Sequence, residues 1–268
     1  MSPALPSPVQ RDLGVALVAQ AAVASALAVA FGWGVAYALA ATVAFALAIA
    51  VVGRSFARSF PRSFPRSFPH AIAPPVGAPA SVSSLAFGAA NCVTLLRLAL
   101  AMLLAATLFI TSPPPAWLPW AMVGLATVAA LLDAVDGPLA RKRGLASPFG
   151  ARFDMETDAW FVLVLAVLAW KLDRAGAWVL ASGAMRYAFI AAGGLWPWLS
   201  APLAPSRLRQ TVCVVQIVAL IVALAPLWPR WAASAFCAAG LALLTASFAL
   251  DVWRLWRRRH VVSPACRA

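Results

Sequence analysis

Eight runs of apolar, nearly uncharged residues fill most of this 268-residue chain, at 13–31, 35–52, 92–110, 117–132, 152–170, 175–199, 211–227 and 231–250. A helix of about 20 such residues crosses the roughly 30 Å hydrocarbon core of a bilayer. None of the runs alternates as a barrel strand must, and within lipid a helix satisfies its backbone N–H and C=O groups inside one segment. The chain is 63% hydrophobic and 11% charged, against about 45–50% and 25% in soluble domains. The fold class predicted is therefore all-α, a polytopic membrane protein with eight transmembrane helices. The fourth and fifth runs are short and continue into a polar stretch. The first is of spanning length with only Arg11 before it, so no cleavable signal is expected.

A net charge of +13 invites a nucleic-acid partner, but the placement of the charge argues for a membrane and no nucleic acid. With the N-terminus in the cytoplasm and all eight runs spanning, the cytoplasmic segments hold sixteen basic residues: Arg11, Arg54, Arg58, Arg62, Arg66, Arg141, Lys142, Arg143, Arg152, Arg207, Arg209, Arg254, Arg257, Arg258, Arg259 and Arg267. The opposite side holds Lys171, Arg174 and Arg230. The positive-inside rule then puts both termini in the cytoplasm. Abundant Ala and Arg with two Lys suits a GC-rich bacterial genome, hence a bacterial inner membrane. Most tryptophans mark run ends, as interfacial belts do.

The chain divides into four parts. Residues 1–53 form a transmembrane hairpin closed by Gly32-Trp33-Gly34, an addition that supplies anchorage or packing surface. Residues 54–84 begin RSFA-RSFP-RSFP-RSFP. Phe56, Phe60, Phe64 and Phe68 have helical spacing, but Pro61, Pro65 and Pro69 interrupt each turn, which predicts an extended or disordered linker. Its arginines suit anionic headgroups, or the repeat is a low-complexity expansion. Residues 85–256 hold six spanning helices, and 257–268 are a basic tail. Cys92, Cys213, Cys237 and Cys266 are dispersed and read as small buried thiols. His70 and His260 lie in basic segments, so no histidine or thiolate metal site is expected.

Five of the eight acidic residues fall in 133–158, DAVDGPLARKRGLASPFGARFDMETD. Asp133 and Asp136 are three apart and Asp154 and Asp158 four apart, so each pair shares a helix face. Four converging carboxylates repel unless cations lie between them, and hard oxygen ligands favour Mg2+ or Mn2+. Four aspartates can hold two such ions. Gly137, Ala140, Gly150 and Ala151 leave room for a bulky ligand, and Arg141 suits a phosphate or base edge. Glu156 points off this face; Asp173 and Asp251 read as loop or capping residues, and Asp12 as a terminal flank. Asn91, Thr94 and Arg97 lie three apart at a helix start. Arg97, two turns inside a spanning run, either reaches back to the interface or meets a phosphate or carboxylate.

The pattern Asp133-x2-Asp136-Gly137-x2-Ala140-Arg141-x8-Gly150-x3-Asp154-x3-Asp158 resembles the signature of the CDP-alcohol phosphotransferases, without departure in spacing or identity. Asn91-x2-Thr94-x2-Arg97 resembles the first-helix motif of many members. The resemblance covers about 85–256, the six-helix core of that family, and within it the chain resembles members of the phosphatidylglycerophosphate and phosphatidylinositol-phosphate synthase type. It implies attack of an alcohol hydroxyl on the β-phosphorus of a CDP-linked donor, with release of CMP. Asp133, Asp136 and Asp154 would be metal ligands, and Asp158 would complete the site and act as general base. Asn91, Thr94, Gly137, Ala140, Arg141 and Gly150 would accommodate the nucleotide. Dimerisation is expected from the resemblance alone.

Basic residues at similar places in some members bind a phosphorylated acceptor. Arg97, Arg186, Arg207 and Arg209 are accordingly the candidate acceptor-binding residues, although Arg207 and Arg209 also serve topology. The leading expectation is transfer from CDP-diacylglycerol to an alcohol, glycerol 3-phosphate favoured. The alternative is a soluble CDP-alcohol donor with diacylglycerol as acceptor. A cation transporter or an idle scaffold is the reading of another class, and a transporter should carry its acids near the bilayer midplane on several helices.

Overall fold

The computed structural model describes residues 7–59, 89–110, 114–142, 148–200 and 206–259. Among the described residues there are eight α-helices and no strand: α1 (Ser7–Phe31), α2 (Gly34–Ser59), α3 (Ala89–Ala106), α4 (Leu118–Lys142), α5 (Pro148–Lys171), α6 (Ala181–Leu195), α7 (Arg207–Leu224) and α8 (Arg230–Arg259). Five contain stretches long and apolar enough to cross a membrane: α1, α2, α3, α7 and α8; α4 contributes a shorter one, Leu118–Asp133. Exposed Val15, Val18, Val29, Val35, Leu39 and Leu47 are the surface that a hydrocarbon solvent covers. The all-α, polytopic membrane architecture is as the sequence implies.

The sixth expected span, 175–199, is an interrupted one. Short 3-10 segments, Ala177–Leu180 and Pro197–Ser200, flank the 15-residue α6. The break follows from Pro197, which pushes Trp196 to extended backbone at φ −119 and ψ 96. Helix α2 runs on to Ser59, so the first residues of the expected linker, 54–59, are helical. The rest of the repeat, His70, His260 and Cys266 lie outside the described residues.

The chain forms two compact units, Met1–Ser112 with Leu131–Thr157, and Pro113–Ala130 with Asp158–Ala268. In the first, the α1–α2 turn is closed by Gly32 at φ +66 and Gly34 at φ +80. The Trp33 amide donates to the Ala28 carbonyl at 3.0 Å and that of Gly32 to Val29 at 3.4 Å, a Schellman closure that needs the left-handed glycine. Trp33 is buried, stacked on Phe31 and edge-on to Tyr37, so it fastens the turn instead of marking an interface. The hairpin is tied to α3 by two polar side chains: Gln20 Nε2 donates to the Ala99 carbonyl at 3.2 Å and Tyr37 Oη to that of Leu103 at 3.5 Å.

In the second unit, α7 and α8 pack closely around Gly240, where an added Cβ would lie 2.5 Å from Gln216 Oε1. Arg174 follows Asp173, whose φ is 55, and its guanidinium donates to the carbonyls of Ala225 at 2.8 Å and Trp228 at 3.2 Å. It thereby satisfies the C-cap carbonyl that α7 leaves open and a carbonyl in the turn to α8. Arg230 and Asp173 pair at 2.8 Å but are 65% and 72% exposed, a geometry that adds little to stability.

Gly183 of α6 faces α5 so closely that a Cβ there would lie 2.6 Å from Leu163 Cα. Gly183→Ala should lower the thermal unfolding temperature in detergent, at an overpacking cost of about 1–3 kcal/mol. Gly124→Ala, with open space around the glycine, should leave it unchanged or raise it.

Candidate active site

Helix α3 carries Arg97 two turns from its start, and the residue is 3% exposed. A guanidinium so placed stays charged and needs a partner within the protein. Its Nη1 donates to Asp133 Oδ1 at 2.8 Å and to Asp154 Oδ1 at 2.6 Å. One nitrogen of α3 thus joins the inner part of α4 to the first turns of α5. Of the two outcomes open for Arg97, pairing with carboxylates is the one found.

Asp158 stands one turn on from Asp154 in the same unbroken helix, which sets its place beside that residue. Asp133, Asp154 and Asp158 each offer a carboxylate oxygen, and these oxygens lie within 4.8 Å of one another. All three are half-buried. Convergent, partly desolvated carboxylates are the donor set that Mg2+ and Mn2+ take, so the residues present fit a divalent ion.

Asp136, Gly137, Ala140 and Arg141 continue α4 beyond Asp133; their side chains, like residues 143–147, lie outside the described residues. Gly150 stands in the first turn of α5, half-buried. On α3, Asn91 is half-buried and Thr94 buried.

The other candidate acceptor residues belong to the second unit. Arg207 is exposed, Arg209 and Arg186 half-buried. Arg209 Nη1 lies 3.4 Å from Asp251 Oδ2, and Arg254 Nη1 3.4 Å from Asp251 Oδ1. Asp251 is 5% exposed and lies well inside α8, so it is neither a loop nor a capping residue. A buried carboxylate at the base of the helix pair needs cations, and the two arginines supply them. The signal was available in the sequence: Asp251 is the only acid in the last 95 residues, with Arg254 three positions on. The pairing of Arg97 could similarly have been reached by asking which of eight acids could neutralise an arginine inside a spanning helix.

The family profile described as CDP-alcohol phosphatidyltransferase matches residues 87–253, more than half of the chain. No curated protein and no solved structure matches it.

Either aspartate alone can still pair with Arg97, whereas losing both removes the two carboxylates that this buried cation contacts. In chelator, Asp133→Asn and Asp154→Asn should therefore each destabilise mildly. The double variant should lose more than the sum, with a coupling on the order of 1–3 kcal/mol. A double-mutant cycle by denaturant unfolding in detergent reads this directly; strict additivity would contradict the shared-partner geometry.

Proposed function

Because the chain belongs to the CDP-alcohol phosphatidyltransferase family, we propose that it transfers a phosphatidyl group from CDP-diacylglycerol to an alcohol acceptor and releases CMP, with glycerol 3-phosphate the favoured acceptor. Family membership makes it a membrane-embedded transferase of substituted phosphate groups, acting in phospholipid synthesis. The observation that carries the finer reading is the group Asp133, Asp154 and Asp158, gathered within 4.8 Å, with Arg97 bridging the first two.

In this reading Asp133, Asp136, Asp154 and Asp158 hold two divalent ions, Mg2+ or Mn2+. Bound there, the ions would screen the donor pyrophosphate and the charge that develops on the departing CMP. The rest falls to the chain's own side chains. Asp158 accepts the proton of the attacking hydroxyl; the new bond joins that oxygen to the β-phosphorus, and the bond from this phosphorus to the CMP oxygen breaks. Asn91, Thr94, Gly137, Ala140, Arg141 and Gly150 seat the nucleotide. Arg186, Arg207 and Arg209 receive the acceptor phosphate, with Asp251 holding Arg209 in place. Arg97, grouped with the acceptor on sequence, is reassigned to the aspartates it contacts. Residues 85–256 are the catalytic core and 1–53 an appended hairpin; both termini and the site face the cytoplasm, and the active form is a homodimer.

Purified protein with Mg2+ or Mn2+, CDP-diacylglycerol and a panel of alcohols should release CMP fastest with glycerol 3-phosphate. Activity confined to CDP-choline or CDP-ethanolamine with diacylglycerol would reverse donor and acceptor, and no CMP release with any pair would remove the transferase reading. Asp158→Asn should abolish transfer while metal binding, followed by Mn2+ electron paramagnetic resonance, largely persists.

Arg186→Gln and Arg209→Gln should each raise KM for glycerol 3-phosphate about tenfold or more, the loss of one charge-assisted phosphate contact, with little change in kcat. Equal KM values in wild type and variants would exclude these residues from the acceptor pocket.

A further inference from the structure

Arg97, buried in α3, is a cation that the chain itself supplies to the aspartate group. Arg97 Nη1 lies 2.8 Å from Asp133 Oδ1 and 2.6 Å from Asp154 Oδ1. A single donor atom bridging oxygens from two helices occupies the point where their negative potentials add. That is also where a divalent ion drawn to the same two carboxylates would come to rest. The third carboxylate, Asp158, has an oxygen within 4.8 Å of theirs, so a further acidic group stands beside the bridged pair.

We infer that Arg97 is the resident counter-cation of this site: in the metal-free protein its guanidinium holds the position between Asp133 and Asp154 that a divalent ion takes on loading, and loading exchanges one for the other. The inference rests on the metal reading above and adds a role for a residue outside the ligand set. Arginine keeps its proton at any ordinary pH, so the position can be vacated only by movement of the side chain. The exchange also accounts for how four aspartates can be placed beside a membrane before any metal is present. With Arg97 in place Asp133 and Asp154 share a cation, which offsets the like-charge repulsion between α4 and α5. The consequence is a metal affinity set by competition. The ion gains the carboxylates but must displace a buried, charge-assisted pair of hydrogen bonds.

Mn2+ binding to the full-length protein in detergent, read from the free-ion electron paramagnetic resonance signal, tests the exchange without any turnover. Arg97→Gln should bind Mn2+ about tenfold tighter or more than wild type. Its metal-free unfolding temperature should fall, and Mn2+ should raise that temperature by more than it does in wild type. Arg152→Gln removes an exposed charge two residues from Asp154 without vacating the point, and should change affinity less than about twofold. Equal or weaker binding by Arg97→Gln would overturn the inference, and so would an equal gain in Arg152→Gln. A second readout needs no variant: in wild-type protein labelled with 13C-arginine, saturating Mg2+ should shift a guanidinium band in the infrared difference spectrum. Unmoved arginine bands in protein that does bind the metal would overturn the exchange alone. Failure of wild type to bind Mn2+ at all would remove the metal reading and the exchange with it.

Discussion

The ion pairing of Arg97 with Asp133 and Asp154 is the interaction on which the candidate site depends. A 3% exposed guanidinium in a spanning helix has no water to solvate it. The cost of leaving it unpaired is several kcal/mol, and that cost is what draws α4 and α5 to α3 at this level. The same pairing restrains the carboxylates, whose mutual repulsion would otherwise oppose the assembly. Stability and chemistry therefore draw on the same charges. Two carboxylates hold the arginine, and a third stands beside them.

Elsewhere the helices are fitted together by two devices suited to a solvent without hydrogen bonds. One is close approach over small residues, as at Gly183 against Leu163 and Gly240 against Gln216, where packing replaces the hydrophobic drive that lipid removes. The other is capture of backbone carbonyls by long polar side chains. Gln20 and Tyr37 reach carbonyls of α3, and Arg174 reaches those of Ala225 and Trp228. Through the first pair the N-terminal hairpin is joined to the helix that carries Arg97. The hairpin thus takes part in the packing of the first unit as well as adding membrane anchorage.

Helix number and the bounds of most helices were legible because apolar length in a bilayer has few alternatives. The sixth span was legible in extent but not in form, since Pro197 acts on its neighbour's backbone and hydropathy does not record that. The acidic stretch was legible as a candidate site because carboxylates are too scarce in this chain to be decoration. Asp251 was misread as a cap: its run ended nearby, and the partner that explains its burial, Arg209, lies 42 positions away. Arg97 was read with its partner undecided, because the choice between phosphate and carboxylate turns on which helices stand beside α3.

The sequence by itself determined an all-helical membrane protein and its family, and singled out the acidic stretch as the candidate site. Each of these follows from local quantities: apolar length, residue type and spacing along one helix. Only the tertiary structure decided that Asp133, Asp154 and Asp158 converge, that Arg97 stands among them, and that Asp251 is buried between two arginines. Those facts depend on helices far apart in the chain. What selects their neighbours is the electrostatic cost of an unpaired charge in a low-dielectric interior, a quantity that belongs to an assembled set of helices and to no single stretch of residues.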